Sequence, residues 1–231
     1  MPLSVLGPHI LVGAVVLGCF WGALLCRKGS PRHKAFGRAY LLLLTPVLVS
    51  VVPITLYFAN RADAARVFQL GYLALVVTTA AWTAWRAMRD RGTPERFRGP
   101  VFKTLAALMF ISGAALLVLG IAVARPLTVG FSSLGLVFGG AMLWELRIAP
   151  AHDWWKMWHL NGVSLLFAAT HASLVGIVAK NLLPTLAGET MHTVTQLGTI
   201  GFAFALRFWL ARRYAQSRVA PTSPSARADA V

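Results

Sequence analysis

Seven apolar runs recur along this 231-residue chain, at positions 10–26, 39–59, 67–85, 104–124, 127–146, 157–179 and 193–210. A helix rising 1.5 Å per residue needs about 20 such residues to cross a hydrocarbon layer about 30 Å thick. Inside that layer every backbone N–H and C=O must be satisfied within the protein, which helices do on their own. The pattern predicts an all-α, polytopic transmembrane bundle of seven helices over residues 1–213. Residues 214–231, rich in Ser, Pro, Ala and Arg, are too poor in apolar side chains to bury a core. They are expected to form a disordered cytoplasmic tail.

The charges argue the same way. Hydrophobic residues make up 57% of the chain and charged ones 13%, against about 25% in ordinary soluble domains. A net charge of +15 on a soluble protein would suggest nucleic acid, but here the cations fall between apolar runs and no nucleic-acid partner is expected. Arg27, Lys28, Arg32, Lys34 and Arg38 fill the first loop, and Arg86, Arg89, Arg91, Arg96, Arg98 and Lys103 the third. Arg147 and Lys156 add to the fifth, and Arg207, Arg212, Arg213, Arg218 and Arg227 to the tail. The alternate loops hold only Arg61, Arg66, Arg125 and Lys180. Cytoplasmic loops carry the Lys/Arg excess, so the N-terminus is expected outside and the tail inside. The basic loops would meet anionic lipid there.

The stretch 151–180 carries the strongest pointer to function. Trp154, Trp155 and Trp158 read as an interface belt, and His171 lies inside the run, where an ionisable residue is expensive. Six histidines then sort into two layers. His9, His171 and His192 form an outer candidate set for a metal ion or haem b, with Glu189, Thr170 and Ser173 in support. His33, His152 and His159 form a second, cytoplasmic set. Neutral imidazole is the commonest protein ligand for such centres. Against this, His9, His33 and His152 fall at helix ends or in loops, where water or lipid phosphate satisfies them. His159 and His171 are 12 residues apart, about 120° out of line on one helix, so they cannot face one seam.

Smaller features fill in the picture. Pro46 and Pro53 are expected to kink the second helix. Gly18-xxx-Gly22 and Gly135-xxx-Gly139 are spacings that let helices approach closely. Glu145 is expected to pair with Arg147 at the interface, and Gln69, Asn161 and Gln196 to bond between helices. Cys19 and Cys26, seven apart on one helix, act as small hydrophobes rather than a disulfide. No Lys or Arg precedes Arg27, so the first run is expected to stay as a helix rather than serve as a signal peptide. No serine-histidine-acid set, phosphate loop, HExxH or CxxC occurs, so soluble-type hydrolase, kinase and thiol redox chemistry gain no support.

His9, Gly18, Lys28-Gly29, His33-Lys34, Gly37-Arg38 and Tyr40 together resemble an uncharacterised family of bacterial predicted membrane proteins. The hallmark of that family is a helix-opening histidine followed by a basic loop of the form KG…H(R/K)..GR.Y. His152, Trp155, Met157 and His159 are similar to its later histidine- and Trp-Met-bearing element. The resemblance covers about half the chain and implies a multi-pass protein of the bacterial inner membrane, with His9 and His33 more than incidental. The resemblance carries no established activity; the layered histidines give the expectation of a histidine-based haem or metal redox protein that transfers electrons. The alternatives are a small-molecule transporter or channel, with the kinked second helix lining a path, and a non-catalytic membrane scaffold.

Overall fold

A computed structural model describes residues 2–183 and 188–216, and every regular element among them is a helix. The order is α1 (Leu3–Leu25), α2 (Pro31–Ala59), α3 (Ala64–Arg89), the single turn α4 (Pro94–Phe97), α5 (Pro100–Ala122), α6 (Pro126–Glu145), α7 (Trp154–Leu182) and α8 (Glu189–Gln216). Six of these contain spans long and apolar enough to cross a membrane: Ser4–Leu25, Pro31–Ala59, Ala64–Arg89, Pro100–Ala122, Pro126–Glu145 and Thr193–Arg212. The remaining long helix, α7, has 29 residues but carries Lys156, His159, Asn161, Thr170 and His171 along its length. Many large apolar side chains of the spans, Leu42, Val49 and Val118 among them, lie on the outside of the bundle. Lipid is the solvent for such a surface.

Boundaries differ from the apolar runs where capping overrides hydropathy. Ser30 accepts a hydrogen bond from the His33 backbone N–H and Pro31 follows at the first helical position, so α2 starts eight residues before its apolar run. Arg32, Lys34 and Arg38 are therefore on the first turns of a helix rather than in a loop. α2 then continues unbroken through Pro46 and Pro53. The tail was expected from residue 214, but α8 runs on to Gln216; residues 217–231 lie outside the described residues.

The helices pair as α1 with α2, α3 with α7, α5 with α6 and α7 with α8. Glycine makes the α5–α6 pair possible. A Cβ on Gly135 would stand 2.5 Å from the Met109 carbonyl oxygen and 3.0 Å from the Gly113 Cα, and one on Gly139 would stand 2.7 Å from the Phe110 nitrogen. Gly135-xxx-Gly139 thus packs as its spacing suggests, whereas Gly18 has nothing within 4 Å. Gly162 does the same for α3 and α7, lying against Ala80 and Ala84. Tyr72 ties α3 to α6, donating to the Phe131 carbonyl at 2.8 Å and accepting from the Gly135 N–H at 2.7 Å.

Two expectations are corrected at the end of the bundle that holds α4. Trp154 and Trp158 are only 5% and 4% exposed, so they are no interface belt. They join Phe97, Phe102, Trp82 and Phe138 in one aromatic cluster, because the α4 turn folds Phe97 beneath them. Glu145 pairs with Arg98 rather than Arg147, and Arg98 also donates to the Ile148 carbonyl at 2.8 Å. Asn161 does bond between helices, accepting from Arg207 Nε at 2.8 Å.

Candidate functional site

A shared geometry runs through the histidines. Nδ1 of His33 lies 2.8 Å from the Ala23 carbonyl, that of His159 2.9 Å from the Ala84 carbonyl, and that of His171 3.1 Å from the Phe167 carbonyl. A carbonyl only accepts, so in each ring Nδ1 carries the proton and Nε2 is left with its lone pair. His9 reaches the same state through Ser50. Its Nδ1 is 2.8 Å from Ser50 Oγ, whose own proton goes to the Val47 carbonyl at 2.6 Å. Histidines that ligate metals are held in this way, with the second nitrogen tied to a carbonyl or another acceptor.

His171 is the most constrained of them. It is 5% exposed, stacks on Phe167 at 4.2 Å between ring centres, and meets the edges of Phe20 at 5.1 Å and Trp21 at 5.7 Å. Thr170 Oγ1 donates to the Leu166 carbonyl at 2.8 Å and lies 3.1 Å from His171 Nδ1. Nε2 of His171 is buried with no hydrogen-bond partner among the described residues. The Tyr40 ring packs on Phe20 at 5.4 Å, and its hydroxyl lies beside Thr170 but outside hydrogen-bonding geometry, so it too is buried and unsatisfied. Leaving such a group unpaired costs about 1–3 kcal/mol. Sequence reasoning missed Phe20 and Trp21 and gave Tyr40 no role of its own, although Tyr40 stands in the KG…H(R/K)..GR.Y motif.

The layers drawn from the sequence are only partly kept. Eleven residues, about 16 Å of helix axis, separate His9 from Phe20 on α1. His171 packs on Phe20, only five residues from the end of α1, so it does not share a layer with His9. One metal ion with bonds of about 2 Å cannot join the two. The side chains of His192, Glu189 and Ser173 lie outside the described residues. In the second set, His33 and Lys28 lie close enough to His159 to act on it electrostatically. Lys28 Nζ also reaches the Ala23 carbonyl, at 3.4 Å, so it shares an acceptor with His33. His152 stands exposed in the segment before α7. As the 12-residue spacing requires, His159 turns toward α3 and His171 toward α1.

Among the described residues no group of three or more His, Cys, Asp or Glu side chains is placed to hold a metal ion. Cys19 and Cys26 are free thiols. No family profile, no curated protein and no solved structure matches the chain.

Proposed function

We propose that this chain is a seven-span protein of a bacterial inner membrane, N-terminus outside and C-terminus in the cytoplasm, whose histidines serve redox chemistry by ligating haem b. Six apolar helices support the multi-pass part. The seventh crossing assigns α7 to the membrane as well, and the orientation follows from the Lys/Arg bias of alternate loops.

The observation that carries the redox reading is the common state of the imidazoles, above all the buried, unpartnered Nε2 of His171. A closed site for a bare metal needs three or four ligands, and the described residues offer no such group. Haem iron needs only one or two axial imidazoles, so these side chains fit it better. His33 and His159, from α2 and α7, are the residues we assign to hold it, and Lys28 beside them would partner a haem carboxylate. His171 is the candidate for a second, single ligand. Haem held there would supply one-electron transfer across the bundle. The chain's own part is to fix each ring through Nδ1, keep Nε2 unprotonated and exclude water with Phe20, Trp21 and Phe167.

The test is an absorption spectrum of protein purified in detergent from its native membrane, before and after dithionite. A Soret band that sharpens on reduction is the expected result. A featureless spectrum in protein of native helicity would sink the haem reading. Transport is less well supported, because α2 passes its prolines without a break.

A further inference from the structure

We propose that the cavity between the end of α3, the α4 turn and the start of α5 holds a phosphate group, supplied by the head of an anionic phospholipid. The cavity encloses about 230 Å3 and is lined by Trp82 and Arg86 of α3, Arg96 and Phe97 of α4, and residues 99–102. Only three of the lining side chains carry polar atoms, the Trp82 indole and the two guanidinia. All three donate and cannot accept, and two are positively charged.

Asp90 arranges the arginines. It is buried, and each of its oxygens faces the Nε of one guanidinium, Oδ2 accepting from Arg86 at 2.6 Å and Oδ1 lying 3.9 Å from Arg96. One carboxylate thus answers two cations. The terminal nitrogens of both guanidinia have no hydrogen-bond partner among the described residues. Those nitrogens are the ones that pair with phosphate oxygens in a fork. The surroundings do not cancel the excess. With Arg98 paired to Glu145, residues 86–103 still hold Arg86, Arg89, Arg91, Arg96 and Lys103 against Asp90 and Glu95, and Glu95 is exposed and off the cavity wall. The start of α5 adds backbone donors. Gly99 brings no side-chain cap, and the Val101 and Phe102 N–H groups have no acceptor among the described residues.

The source of the phosphate follows from what flanks the cavity. Both α3 and α5 contain apolar spans long enough to cross a membrane, so the end of one and the start of the other lie at headgroup depth. Val101 lines the cavity and is exposed, and Leu108, two turns on along the same face of α5, is exposed as well. They offer an acyl chain an apolar track leading away from the guanidinia, which a soluble anion would not use. The fully buried Phe97 and Phe102 close the back of the cavity to water, so the charges there are less screened. The site needs the multi-pass bundle but not the haem.

The experiment titrates the full chain, delipidated in a neutral detergent, with three probes by calorimetry. Dioctanoyl-phosphatidylglycerol carries chains and phosphate, dioctanoylglycerol lacks the phosphate, and glycerol 3-phosphate lacks the chains. The phospholipid should bind saturably, about tenfold or more tighter than either fragment. Arg96→Gln removes an exposed guanidinium whose ion pair spans 3.9 Å, so the fold is spared. It should weaken phospholipid binding about tenfold, the loss of one charge-assisted hydrogen bond. Arg86→Gln combined with Asp90→Asn removes the buried pair together, strands no charge, and should abolish saturable binding. Arg91→Gln, an exposed cation of the same segment off the cavity wall, should leave the affinity nearly unchanged.

Equal weakening by Arg91→Gln and Arg96→Gln would mean diffuse attraction to a basic segment and would overturn the site. Equal affinity for dioctanoylglycerol would mean that the chains bind alone, with the same result. Glycerol 3-phosphate binding as tightly as the phospholipid would overturn the lipid source and make it a soluble phosphate ester. Circular dichroism of each variant keeps a loss of binding distinct from a loss of fold. None of these variants touches a histidine, so the outcome stands apart from that of the haem reading.

Discussion

His159 on α7 donates its Nδ1 proton to the carbonyl of Ala84 on α3 across 2.9 Å, joining residues 75 positions apart. Gly162, one turn further along α7, lets the two helices come close enough for that bond. The ring is thereby fixed with Nε2 free. On the haem proposal, His159→Ala should abolish the Soret band, and imidazole added to the purified variant should restore it by filling the vacated volume. A histidine that served packing alone would leave the spectrum of the variant unchanged from the start.

His171 carries a cost in stability. Its Nε2 is an unsatisfied acceptor in an aromatic cage, which costs about 1–3 kcal/mol. Phenylalanine would stack on Phe167 as the imidazole does and carry no acceptor. His171→Phe should therefore raise the unfolding midpoint of the ligand-free protein, or at least not lower it, while ligand binding at this position is lost. A clear drop in that midpoint would mean that the bond to Phe167 outweighs the orphaned nitrogen.

Gly135 and Gly18 look alike in sequence, each opening a Gly-xxx-Gly spacing, but their surroundings differ. The backbone of α5 leaves no room for a side chain at Gly135, whereas Gly18 faces open space. Gly135→Val should destabilise the bundle by about 2–3 kcal/mol through overpacking. Gly18→Val should change it by less than about 0.5 kcal/mol, as surface substitutions do. Unfolding in a mixed detergent series would measure both.

That contrast marks how far the sequence could be read. Apolar length alone located most helices, because a bilayer imposes one length on all of them. The caps were harder to see, and α2 runs back to Pro31 because Ser30 and Pro31 start a helix whatever the hydropathy. Depth was the main loss. Counting along α7 alone gives His171 a layer, but how far α7 is shifted against α1 is set by their packing, and the imidazole meets Phe20 near the end of α1. Tyr40 and His171 are 131 positions apart, and no spacing rule joins them. The pairing of Glu145 with Arg98 was hidden for the same reason, since the nearer Arg147 has the obvious spacing.

Phe97 tests the aromatic cluster. It is fully buried on a four-residue turn, with ring centres 4.9 Å from Phe102, 4.8 Å from Trp154 and 5.6 Å from Trp82. Replacing a core phenylalanine by alanine costs about 3–5 kcal/mol. Phe97→Ala should lose about that much, and Trp154 fluorescence should shift to the red as water reaches the ring. If the turn were a loose connection at the membrane surface, neither value would move.

The pair formed by Arg98 and Glu145 separates two accounts of why a charge sits at the edge of a bundle. Each side chain is 14% exposed, so both have given up most of their hydration. Removing one partner strands the other, and breaking such a buried pair costs about 3–5 kcal/mol. Glu145→Gln should approach the lower end, because the amide oxygen can still accept from the guanidinium. Arg98→Met should cost more, since it also leaves the Ile148 carbonyl without its donor. The double variant Arg98→Met, Glu145→Met removes both charges and should recover much of the loss, because a hydrophobic pair of similar size escapes the desolvation cost altogether. A double variant no more stable than Arg98→Met alone would mean that the Ile148 contact, rather than the ion pair, holds α4 and α5 to the end of α6.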